Sequence, residues 1–157
     1  MTAHGPHVVS FMTKMPKTLS HSHKTEALQD TPRRIFIADE DPLICELIRY
    51  NLEADGFTVS VFNNADDALD ADFTLYDLFL IDITMDGLSG IKVAQYLKQN
   101  KMTSRTPLIF CASRSDEEAV IDGLDYGADD YILKPFSMKE LKSRINKLLH
   151  RNIYSKA

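Results

Sequence analysis

The chain has 157 residues, 44% hydrophobic and 26% charged, enough for one domain with a real core and too few for two full ones. No apolar run approaches the roughly 18 residues a membrane span needs, and the opening MTAHGPHVVSFMTKM lacks a signal peptide's sustained apolar stretch, so a soluble cytoplasmic protein is expected. Charge is uneven: residues 1–34 carry five Lys or Arg against two Asp or Glu, and residues 35–157 carry thirteen against twenty-one. An acidic folded part disfavours direct nucleic-acid binding and favours a metal cation or a basic partner surface.

Residues 1–32 follow neither a helical nor a strand period and are expected to form a flexible tail. Four of the five histidines lie there, and His21 and His23 read as solvated residues before they read as metal ligands. From Arg33 the pattern changes, and residues 33–152 are expected to form the domain, with 153–157 as its end. Apolar, β-rich runs at Ile35–Ala38, Phe57–Phe62, Leu78–Ile81, Leu108–Ala112 and Tyr131–Leu133 predict five strands. Between them, stripes such as Leu43, Ile44, Leu47, Ile48 and Leu52, or Leu141, Ile145, Leu148 and Leu149, predict helices with one sheet-facing side. Asp41-Pro42 supplies an N-cap acid and a first-turn proline, and Asp55-Gly56 a stop. The second helix, about Ala65–Ala71, is expected to be short, and Gly123 to loosen the fourth, Asp116–Tyr126. Five strands alternating with helices predict a doubly wound α/β fold with a parallel sheet. Cys45 and Cys111 sit inside apolar runs and read as buried reduced thiols.

Open parallel sheets gather ligands beyond the C-terminal ends of their strands. Those ends carry Asp39-Glu40-Asp41, Asp82, Ala112-Ser113 and Lys134-Pro135. An acidic loop repels phosphate alone, but a cation joining the carboxylates changes that, and hard oxygen ligands suit Mg2+. Asp82, ending the apolar LFLID, is then the candidate nucleophile for a phosphoryl group whose oxygens the metal and Lys134 would neutralise. Asp41 is explained as a helix cap alone.

The segments IFIADEDPLI, DLFLIDITMDGLSGIKVAQYLK, TPLIFCASRSDEEAVIDGLDYGADDY and YILKPFSMKEL together resemble the receiver domain of two-component response regulators over about Arg33 to Arg151. The resemblance implies a flavodoxin-like sheet in the order 2-1-3-4-5 with five helices. It implies Asp82 as phosphoacceptor; Asp39, Glu40, Asp82 and the Thr84 backbone carbonyl as holders of Mg2+; and Lys134, followed by a cis proline, as the phosphoryl contact. Ala112 and Tyr131 match switch positions, and Thr84 and Arg114 the positions that tune hydrolysis. The implied phosphoryl donor is a phosphohistidine on a sensor histidine kinase or phosphotransfer protein, and the implied output is a changed surface over the fourth helix, fifth strand and fifth helix that meets a downstream protein. Such a domain promotes its own phosphorylation and dephosphorylation without being a turnover enzyme.

Three positions depart from the family pattern. Ala112 stands where a Ser or Thr hydroxyl is usual, Glu40 where the acidic pair ends in Asp, and Asp86 where proline is usual. Ser113 is adjacent to Ala112, but successive strand residues face opposite ways, so it substitutes only if the strand has already turned there. These departures keep an alternative open: a phosphorylation-independent pseudo-receiver acting as an interaction or dimerisation module. GADDY and KELKSRI resemble receivers fused to winged-helix DNA-binding domains, which implies a possible homodimer in which Asp129 and Asp130 meet Arg144 or Arg151. The chain is expected to be either a stand-alone receiver or a fragment of a longer regulator.

Overall fold

Five short strands, β1 (Arg34–Ala38), β2 (Thr58–Phe62), β3 (Leu78–Asp82), β4 (Leu108–Ser113) and β5 (Asp130–Lys134), form one sheet in a computed structural model. It describes residues 31–86, 89–125 and 127–156, without the side chains of residues 89, 117, 123 and 151–156. The expected tail, save Thr31 and Pro32, therefore lies outside the described residues, as do Tyr126 and the Arg151 side chain. Arg33–Ala157 forms one compact unit.

The strands pair in parallel in the order β2-β1-β3-β4-β5, as expected for a flavodoxin-like sheet. Five α-helices alternate with them: α1 (Pro42–Ala54), α2 (Ala65–Leu69), α3 (Ser89–Gln99), α4 (Glu117–Asp125) and α5 (Met138–Lys156). The strands are apolar on both faces because helices cover both. On one face, Ile35, Ile37, Leu80, Cys111 and Ile132 pack with Cys45, Ile48 and Leu52 of α1 and with Leu141, Ile145 and Leu148 of α5. On the other, Phe36, Phe79, Ile81, Phe110 and Ala112 pack with Ala68 of α2, Val93 and Leu97 of α3, and Val120 of α4. Phe36 centres this second layer, stacked on Phe62 at 4.7 Å and edge-on to Tyr76 and Phe79 at 5.2 and 5.3 Å.

Local chemistry sets the element ends. The Asp41 carboxylate accepts from the Leu43 and Ile44 backbone amides, and Pro42 occupies the first turn, so α1 starts right behind the β1 carboxyl end. Gly56, at φ 95°, turns the chain out of α1. Phe57 donates its backbone N–H to Leu52 O and so closes the helix rather than opening β2, which begins one residue later than its apolar run suggested. Helix α2 stops at Leu69, shorter than expected, and β5 gains a residue at each end.

Candidate functional site

Three strand ends bring two acids and a lysine together. Asp39 follows β1, Asp82 ends β3 and Lys134 ends β5; Asp39 is 3% and Asp82 5% exposed. Lys134 Nζ lies 2.8 Å from Asp39 Oδ2 and 3.3 Å from Asp82 Oδ2, and so joins residues 95 and 52 positions apart in the chain. The other Asp39 oxygen accepts from the Asp41 amide at 2.9 Å. The other Asp82 oxygen accepts both the Thr84 amide, at 3.1 Å, and its hydroxyl, at 3.0 Å. Every carboxylate oxygen is thus oriented before any ligand arrives.

Charge in this pocket is unbalanced. Burial raises the Asp39 carboxyl above its ordinary range, the Lys134 and Asp41 hydrogen bonds oppose this, and Asp82 adds to it. Burial pulls the Lys134 ammonium down, but its Asp39 hydrogen bond and the two carboxylate charges hold it well above the ordinary lysine value. One ammonium between two buried carboxylates leaves net negative charge where water is scarce. A small dication cancels that excess, and Mg2+ keeps several waters and needs only one or two protein carboxylates, so Asp39 and Asp82 fit it. Glu40 is exposed, and among the described residues no three acidic, Cys or His side chains form a cluster that could hold a metal. The structure therefore brings together Asp39, Asp82, Lys134 and Thr84, and leaves Glu40 at the rim.

Several supporting residues had no sequence signal. Asn63, just past β2, donates to Asp39 O at 2.9 Å, and the Cys45 thiol donates to the same carbonyl at 3.3 Å. Gly90, in the first turn of α3, lies so near that a Cβ there would stand 2.1 Å from Asp82 O. Asp86, at φ 49°, accepts from the Ala65 amide at 2.8 Å and so ties the loop after Asp82 to the start of α2. Its place in the usual proline position was legible; its partner was not.

The remaining expected positions are dispersed. Ala112 is fully buried, Tyr131 is 38% exposed on β5, and Arg114 is exposed in a 3-10 turn, Arg114–Asp116. Lys134-Pro135 is cis. Asp130 and Arg144 pair within the one chain, with Nη1 3.0 Å from both carboxylate oxygens, and Asp129 takes Lys98 at 3.2 Å. Asp129, Asp130 and Arg144 thus each have a partner inside the chain, and the Arg151 side chain lies outside the described residues.

Residues 35–146 match the response regulator receiver domain family. The chain belongs to this family. The receiver domain is 38% identical over 119 residues to the phosphate regulon transcriptional regulatory protein PhoB of Rhizobium meliloti, covering 75% of this chain and 52% of that protein. It is 38% identical over 125 residues to the DNA-binding response regulator MtrA of Mycolicibacterium smegmatis, covering 78% and 54%. The chain thus spans about half the length of these relatives. Among solved structures, the receiver domain of the Francisella response regulator 1452 aligns with a TM-score of 0.65 at 32% identity, covering 76% of this chain and 98% of that one. A CheY-like receiver domain protein from Methanospirillum hungatei aligns at 0.72 and 24% identity, covering 80% and 99%, and speaks for the fold alone. Receiver domains are the signalling modules of two-component phosphorelays; they work with histidine kinases and use Mg2+ for phosphorylation. No helix among the described residues is long and apolar enough to cross a membrane.

Proposed function

We propose that this receiver domain accepts a phosphoryl group on Asp82 from a phosphohistidine of a sensor kinase or phosphotransfer protein in the cytoplasm. The observation that carries the reading is the buried Asp39–Lys134–Asp82 bridge, an oriented carboxylate with a cation at its side. In the transfer, an Asp82 carboxylate oxygen forms the new bond to phosphorus, the P–N bond to the donor imidazole breaks, and its electron pair stays on that nitrogen. Lys134 is already within hydrogen-bond reach of Asp82 and neutralises charge on the incoming phosphoryl oxygens. The Thr84 amide and hydroxyl fix the rotamer of Asp82, so that its attack needs little reorganisation. Mg2+, held by Asp39, Asp82 and the Thr84 carbonyl with Glu40 at the rim, would supply further neutralisation of the phosphoryl oxygens.

Thr84 and Arg114 are the residues we assign to hydrolysis of the product, which makes the domain a timed switch rather than a turnover enzyme. Its output is the surface of α4, β5 and α5, meeting a downstream protein or a second copy. The test is intact-mass spectrometry after incubation with acetyl phosphate or a phosphohistidine donor and Mg2+, beside Asp82→Ala. One added phosphoryl mass on the parent and none on the variant is expected. No gain with either donor would overturn the reading and leave a phosphorylation-independent interaction module.

A further inference from the structure

The loop between β2 and α2 holds both halves of the candidate metal site. At one end, Phe62 O accepts the Asp39 amide at 3.0 Å and the Asn63 side-chain amide donates to Asp39 O at 2.9 Å, so both backbone groups of this acid are held. At the other end, the Ala65 amide donates to Asp86 Oδ2 at 2.8 Å. Asp86 stands at the far end of the loop that begins at Asp82, where the Met85 amide donates to Asp82 O at 3.2 Å and Thr84 lies within the turn. The β1–β3 ladder ends at the pair of Ala38 with Ile81, just short of both acids. Beyond it, Lys134 ties the two carboxylates to each other. Residues 63–65 tie the backbone of Asp39 to the loop that carries the Thr84 carbonyl.

We infer that Asn63 and Asp86 are positioning residues that form one brace, and that this brace makes the site select Mg2+ over Ca2+. This rests on the proposed assignment of Asp39, Asp82 and the Thr84 carbonyl as holders of the ion. Mg2+ demands near-ideal octahedral geometry at about 2.0–2.1 Å, whereas Ca2+ takes roughly six to eight oxygens at about 2.3–2.6 Å in flexible arrangements. A fixed spacing between Asp39 and the Thr84 loop therefore favours the smaller ion, and a released one lets the ligands spread to the distances Ca2+ prefers. Both residues act through the same short stretch, so cutting either bond releases it.

The test is thermal unfolding of the full chain against Mg2+ and, separately, Ca2+ at constant ionic strength, each series giving a dissociation constant from the rise in midpoint. The ratio of the two constants is read within each variant, so a general loss of stability cancels, as does the loss of a negative charge, which weakens both dications alike. Asn63→Ala and Asp86→Gly, the latter suited to φ 49°, are each expected to lower the preference for Mg2+ about three- to tenfold. Asp86→Asn keeps an oxygen acceptor for the Ala65 amide and is expected to keep the parent's ratio. Combining Asn63→Ala with Asp86→Gly is expected to lower the ratio no further than either change alone, because one brace is released only once. Unchanged ratios in both single variants overturn the brace, and losses that multiply in the double variant overturn its unity. A fall in Asp86→Asn equal to that in Asp86→Gly overturns the role of the Ala65 bond. A parent that Mg2+ does not stabilise overturns the metal assignment and the proposal with it; a parent that prefers Mg2+ while the variants keep its ratio overturns the brace alone.

Discussion

At the scale of single residues, the site depends on atoms that are missing as much as on those present. Gly90 allows α3 to press on the carbonyl of Asp82, and a Cβ 2.1 Å from that oxygen cannot be accommodated by a side-chain rotation, because the neighbour is backbone. Gly90→Ala is therefore expected to cost about 1–3 kcal/mol, in the range of overpacked positions, and to slow labelling of Asp82 by displacing it. Urea midpoints and the rate of mass gain check the two effects; unchanged values for both would remove Gly90 from the site's support. The cysteines make the opposite point. Burial pushes the Cys45 thiol up to about 12 and the Cys111 thiol higher still, and the carboxylate charge of nearby Asp39 pushes both the same way. At pH 8 a thiol with that value is ionised in only about one molecule in ten thousand, so both are expected to resist iodoacetamide in native buffer and to react fully in denaturant. Buried reduced thiols were legible from their apolar settings, whereas Asn63 and Gly90 were not, since nothing local marks a residue whose partner arrives from another strand.

At the scale of elements, apolar runs and caps announced nearly every strand and helix, because parallel strands buried on both faces leave continuous hydrophobic signals. Ends were less legible where a tertiary hydrogen bond sets them, as at Phe57, whose amide is taken by α1. Ion-pair partners were less legible again: Asp130 and Arg144 are 14 residues apart and meet across the β5–α5 junction, a proximity that charge pattern alone does not give. One junction centres on Lys98 of α3, with an 11%-exposed side chain. Its Nζ donates to Ser104 O at 3.2 Å, Thr106 O at 2.8 Å and Asp129 Oδ2 at 3.2 Å. Asp129 in turn accepts from the Leu108 amide at 2.9 Å, so one ammonium organises the entry to β4 and the approach to β5. Lys98→Met keeps the stem and removes the charge, leaving those acceptors short of a donor. A loss of about 1–3 kcal/mol is expected by denaturant unfolding. By contrast, the half-exposed Arg144 pair is expected to contribute under about 1 kcal/mol, as solvent-screened pairs do.

At the scale of the whole molecule, the same unbalanced charge that suits phosphoryl transfer works against folding until a cation arrives. Asp39 titrates above 3.8 in the folded protein, so the fold binds its proton more tightly than the unfolded chain does. Its contribution is fully present below 3.8 and is lost as pH rises through the folded value. Lys134 acts in a distant window: its contribution is complete below 10.5 and fades as pH rises through its raised folded value. At neutral pH the metal-free protein therefore carries the cost of an ionised Asp39 while keeping the lysine's gain. A cation that binds only the folded, ionised site adds RT ln(1 + [L]/Kd), about 2.7 kcal/mol at a hundredfold excess over Kd. Thermal unfolding is accordingly expected to shift upward by several degrees with Mg2+ at pH 7.5, and the gain to shrink as the pH is lowered into the titration of Asp39. Asp39→Asn should lose most of the Mg2+ dependence, while Glu40→Asp, which shortens a rim side chain, should alter the affinity without abolishing it. Equal Mg2+ shifts in the parent and Asp39→Asn would separate the buried acids from metal binding and assign the cation to another part of the fold.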